Sequence, residues 1–149
     1  MRAPRGVRRF LTLPMQTRVA FLSALAVVLV VRIGLWALPV RRVRSIGRRL
    51  VRHPVGGGVP DQVVADRIAW AVRRAAAFVP RASCLTQALA AELLLARAGH
   101  AAEVRLGVAK DEHGKIEAHA WVESSGRVIV GDGDLEHYAT LIRSPSQIQ

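Results

Sequence analysis

Residues 83–132 read SCLTQALAAELLLARAGHAAEVRLGVAKDEHGKIEAHAWVESSGRVIVGD, and the change of hydrophobic period inside this stretch decides the fold. From Ser83 to Gly99 the apolar residues Leu85, Leu89, Leu93 and Ala96 recur at helical spacing, and Gly99 stands where a C-terminal cap is expected. Beyond Gly99 the period becomes two: Val104, Leu106 and Val108 alternate with Glu103, Arg105 and Gly107. The polar turn DEHGK leads into IEAHAWVE, residues 116–123, and a Ser-Gly turn leads into RVIVGD, residues 127–132. One helix followed by three short strands with tight turns predicts an α+β domain, with the helix that carries Cys84 packed on a small antiparallel sheet.

Working upstream, Asp61 can cap a helix whose apolar positions Ile68, Ala69, Val72, Ala75, Ala76 and Val79 repeat until Pro80. Before it, HPVGGGVP, residues 53–60, places three glycines between two prolines and is expected to be a linker. Residues 1–52 then form a basic, apolar helical arm, and residues 61–149 the domain. Within the arm, VAFLSALAVVLVVRIGLWALPV, residues 19–40, has about the length needed to cross a bilayer, although Arg32 and Pro39 interrupt it. A spanning helix, a secretory signal and a buried or membrane-surface helix compete. The last is favoured, because a central arginine costs roughly 2.5–3.5 kcal/mol on insertion scales and no small-residue cleavage site is present.

The chain has 149 residues, 22 basic and 11 acidic, for a net charge of +11. The charge is segregated: residues 1–52 contain 12 arginines and no acidic residue, which leaves 10 basic and 11 acidic side chains in the rest. Such an arm suits an anionic membrane surface or an acidic partner. Nucleic acid is not expected, since an apolar run replaces the polar and stacking residues that interleave a nucleic-acid arm. A single cysteine excludes an intrachain disulfide and fits a reducing, cytoplasmic setting with the arm at a membrane.

Cys84 falls in the first turn of its helix, where unpaired N–H groups and the positive end of the dipole favour a thiolate and can hold an oxyanion. Of five histidines, His119 alone lies within a strand, on the face shared with Glu117, Trp121 and Glu123. If Ser125-Gly126 makes a two-residue hairpin turn, counting outward sets His119 opposite Asp132, whereas Asp134 would need a slipped register or a bulge. A thiol, an imidazole and a carboxylate in this order describe acyl transfer through a thioester. No cofactor is implied, and no metal, because HExxH and CxxC patterns are missing.

Residues 80 to about 141 also resemble a known family. Cys84-Leu85 before a leucine- and alanine-rich helix, the turn from Leu95 to Gly99, RLGV and above all AHAWVE are similar to the protease half of the lasso-peptide leader peptidase, in the transglutaminase-like superfamily. The resemblance implies a transglutaminase-like cysteine-protease fold, with Cys84, His119 and Asp132 (or Asp134) as the triad. It also implies a precursor peptide as substrate, cut at the leader–core junction, a separate small leader-recognition protein as partner, and the lasso cyclase as a further one. Another transglutaminase-like acyl transferase, or a non-catalytic membrane-docked scaffold that holds a peptide, are the competing readings.

Overall fold

The computed structural model describes residues 12–51, 62–110, 112–131, 135 and 138–140. Four helices precede the sheet: α1 (Met15–Ala37), α2 (Val40–Leu50), α3 (Gln62–Ala76) and α4 (Cys84–Arg97). The strands are β1 (Ala102–Lys110), β2 (Ile116–Ser124), β3 (Arg127–Val130) and β4 (Ala139–Thr140), in the sheet order β3-β2-β1-β4 with antiparallel pairs throughout. The α+β reading holds. The expected three strands are four, because the short β4 adds to the free edge of β1 through Gly107 and Val108.

Local chemistry sets the ends of α4. The Ser83 hydroxyl accepts from the Thr86 N–H at 3.3 Å, as a helix N-cap does. At the other end Gly99 adopts φ +84°, and the His100 N–H reaches back to the Leu95 carbonyl at 2.9 Å, the closing bond of a glycine-capped terminus. Between them α4 is buried on several sides, at Thr86, Ala88, Leu89, Ala90, Ala91, Glu92 and Leu95. It lies on β1, β2 and β3 and is covered from behind by α1 and α3. Two layers of neighbours explain why its small residues surround it instead of forming one stripe.

The largest departure from the sequence reading concerns the arm. The inner face of α1, with Ala24, Val28 and Val31 buried, joins the same core as Val72 and Ala75 of α3 and Leu89 and Leu95 of α4. Phe21 packs edge-on to Phe78 and tilted against Trp70. Residues 1–52 are therefore not a separate arm where they are described; α1 is a wall of the core. The reason is composition: a helix apolar on all sides offers a face to the core and still leaves a face exposed. α2 is held differently. Its Arg44 forms a forked ion pair with the buried Glu92 carboxylate of α4, with Nη2 to Oε1 at 2.7 Å and Nε to Oε2 at 3.2 Å. Arg48 stands 3.8 Å from the same carboxylate. Gly47 lets the backbone of α2 approach α4 closely, since a Cβ there would overlap the Leu93 side chain. The glycine-rich stretch 53–60 and the expected cap Asp61 lie outside the described residues.

Candidate active site

Cys84 is the first residue of α4, a half-buried free thiol that borders the core. The Thr86 N–H is engaged by the Ser83 cap and the Gln87 N–H by the Ser83 carbonyl. Among the described residues, the N–H groups of Cys84 and Leu85 have no carbonyl partner. These two are the orphan donors of a helix start, positioned beside the thiol sulfur. The approach to this turn is strained: Arg81, three residues before Cys84, has φ +59°, a conformation that costs a non-glycine residue roughly 1–2 kcal/mol.

His119 is built into β2, opposite Gly107 of β1. Strand alternation turns Ala120 and Val122 inward to the helices and turns His119 outward, with Trp121 and Glu123. There the imidazole lies near two aromatic rings, stacked at 6.2 Å from Trp121 and tilted at 5.4 Å from Tyr138. A side chain on Gly107 would collide with both, so this glycine makes the floor on which they sit. Trp121 is itself pinned: its indole N–H donates to Glu123 Oε1 at 2.9 Å, and Glu123 Oε2 accepts from Arg105 Nε at 3.2 Å. Arg105 Nη2 also meets Glu103 at 3.1 Å. The ring of His119 thus rests on a chain of fixed contacts.

The His119 Nε2 lies 3.0 Å from the Gly131 carbonyl oxygen. A carbonyl only accepts, so Nε2 carries the proton, and in the neutral ring Nδ1 keeps the lone pair. Gly131 is held in place for this: its φ is +88°, and a Cβ there would come within 2.7 Å of the Ala120 carbonyl oxygen and 2.8 Å of the Trp121 Cα. No member of the Gly131–His119 pair other than the histidine was singled out from the sequence, and Tyr138 and Gly107 were missed as well. The alternation in AHAWVE did show that Trp121 would share the face of His119.

The hairpin register is corrected by a bulge. Ser124 pairs with Arg127 and Glu123 with Val128, as the Ser-Gly turn predicts, with Ser125 and Gly126 at φ +51° and +75°. Beyond that the register slips by one, to Val122 opposite Val130. Ile129 and Val130 are both buried, and consecutive residues can face one core only where the pleat is broken. Counting outward in an unbroken ladder, which set His119 opposite Asp132, therefore does not carry past Glu123. Asp132 and Asp134 lie outside the described residues. Among the described residues, no hydrogen bond joins His119 to Cys84, and no group of histidine, cysteine and carboxylate side chains is arranged to hold a metal.

Compared with known proteins, the chain matches one family model, Transglut_core3, described as the transglutaminase-like superfamily, over residues 25–143. The matched stretch begins inside α1 and runs through every later element. Neither a curated protein nor a solved structure matches the chain significantly.

Proposed function

Because the chain belongs to the transglutaminase-like superfamily, we propose that it is a cysteine acyl-transfer enzyme, and within that class a peptidase that removes the leader from a ribosomally made precursor peptide of the lasso type. The observation that carries the chemistry is Cys84 at the capped start of α4, beside the unengaged N–H groups of its own and the next residue. In this mechanism the His119 ring, which the structure holds on the face of β2 turned away from the helices, has to reach the thiol; its Nδ1 lone pair then takes the thiol proton, and the thiolate sulfur adds to the scissile carbonyl. The oxygen of the tetrahedral adduct gains its charge at the helix start, where the N–H groups of Cys84 and Leu85 stabilise it. Collapse breaks the C–N bond, the imidazolium returns its proton to the departing amine, and a thioester remains on Cys84. Water, deprotonated by the same histidine, then releases the acid and regenerates the thiol.

Asp132 is the proposed carboxylate partner of His119, with Asp134 as its alternative; with Nδ1 serving as the base, the carboxylate has to accept from the Nε2–H in place of, or together with, the Gly131 carbonyl. The leader specificity rests on the AHAWVE-type motif and on the helix that follows Cys84-Leu85. A separate leader-recognition protein would present the precursor to Cys84 and raise its local concentration there.

One observation favours a second reading, a non-catalytic scaffold that binds a peptide: the thiol and the imidazole are not hydrogen-bonded to each other. The experiment that separates the two is incubation of the protein with the precursor peptide and the recognition protein, read by mass spectrometry. Cleavage at one bond, lost in Cys84→Ala, supports the peptidase. Peptide binding without cleavage, and a Cys84 that alkylates no faster than a free thiol at neutral pH, supports the scaffold.

A further inference from the structure

α1 buries one face in the core, and its opposite face is uncovered. Met15, Val19, Leu22, Leu29, Ile33 and Trp36 are exposed and follow one another at steps of four, three, seven, four and three residues, a single stripe along the whole helix. Trp36, at the end of the stripe, is 83 % exposed. Isolated surface leucines need no explanation, but an apolar stripe five to six turns long does. Immediately after it, α2 exposes Arg41, Arg42 and Arg49 together with Ile46 and Leu50. Arg41 and Arg42 occupy the first turn of α2, where the positive end of the helix dipole disfavours cations, so their placement is not explained by the stability of that helix.

We propose that this face docks the folded protein on an anionic bilayer surface, with α1 lying in the interface plane and the α2 arginines at the lipid headgroups. Charge selects this occupant. A second copy laid on the stripe would bring together two N-terminal segments that each hold 12 arginines and no acidic residue, whereas an anionic headgroup layer neutralises them. The core selects lying over spanning. α1 is long and apolar enough to cross a membrane, but its buried face is fixed to α3 and α4, and crossing would carry the exposed Arg73 and Arg74 of α3 into hydrocarbon. A tryptophan at the end of an apolar stripe, next to arginines, suits the headgroup boundary.

The test uses the full chain with phosphatidylcholine vesicles, with and without phosphatidylserine. Flotation is expected with the anionic vesicles alone, accompanied by a blue shift of tryptophan emission that Trp36→Phe removes. Leu22→Glu and Ile33→Glu, both outward-facing and checked for an unchanged thermal melt, are expected to abolish flotation. Arg41→Gln and Arg42→Gln are each expected to weaken binding about fivefold, the effect of one basic residue near an anionic surface. Flotation that survives Ile33→Glu would overturn the proposal, as would equal binding to neutral vesicles. A dimer that Ile33→Glu converts to monomer, without vesicle binding, would assign the face to a second copy and overturn it too.

Discussion

The Nε2–H of His119 is held by the carbonyl oxygen of Gly131 at 3.0 Å, and this bond decides which nitrogen of the ring is available for chemistry. A general base must present a lone pair, and here it is Nδ1 that has one. The expected outcome in ¹⁵N spectra of the histidines is a His119 whose Nε2 carries the proton that the Gly131 carbonyl accepts. A ring protonated on Nδ1 instead would remove the proposed base. His119→Ala is expected to abolish cleavage at an unchanged melting temperature within a few degrees, since the ring is half-buried and outside the main core.

Gly131→Ala should be harmful for a different reason. Its Cβ would strike backbone atoms of Ala120 and Trp121, and its positive φ disfavours any side chain, so loss of stability of about 1–3 kcal/mol is expected. Turnover should fall beyond what the lost stability explains, because the carbonyl that orients His119 moves. Wild-type turnover in a folded Gly131→Ala protein would show that this bond is dispensable.

At the thiol, Cys84→Ala is expected to eliminate turnover and preserve the fold. Asp132→Asn should leave residual activity, because a carboxylate that orients the base does not itself attack. If Asp134→Asn proves the more damaging change, Asp134 is the partner of His119. Iodoacetamide labelling of Cys84 at neutral pH, compared with a free thiol, measures activation independently of any substrate.

Three of these residues illustrate what could be read from the sequence. Gly99 was legible as a cap because glycine tolerates the left-handed backbone that ends a helix, and Ser125-Gly126 was legible as a hairpin for the same reason. The bulge at Ile129 was not, because RVIV alternates no polar residue against its apolar ones and so marks no face. Nor was β4, whose two residues are too few for any period to show. The place of α1 was hidden by its own composition: apolar on all sides and flanked by arginines, it gives one pattern for a membrane helix and for a core wall. Only the burial of Ala24, Val28 and Val31 against α3 and α4 separates them.

The Arg44–Glu92 pair joins α2 to the helix that carries Cys84. Arg44→Ala leaves the buried carboxylate without its fork and is expected to destabilise the protein by about 3 kcal/mol in chemical denaturation. Arg48→Ala, at an exposed position 3.8 Å away, should cost under about 1 kcal/mol. The double variant Arg44→Met with Glu92→Leu should recover most of the loss, since no charge is then left buried. Equal effects of Arg44→Ala and Arg48→Ala would show that the forked geometry contributes nothing.

Removal of residues 1–52 is expected to abolish the cooperative thermal transition. Val28 and Val31 alone bury side chains worth about 1.5–3 kcal/mol each, against a total stability of about 5–15 kcal/mol for a domain. A truncated chain that melts sharply and keeps its near-ultraviolet circular dichroism would restore the division at the glycine-rich stretch.

Because α1 is made before α3 and α4, the helices it packs on, the protein faces a problem of timing during synthesis. Val28 lies 61 residues before Leu89, which belongs to the same core. At about 5–20 residues per second, α1 is outside the ribosome for roughly 3–12 s before α4 is complete. For that interval the nascent chain carries an unsheltered apolar helix, so its yield is governed by what captures the helix first: a chaperone, a lipid surface, or the rest of the chain.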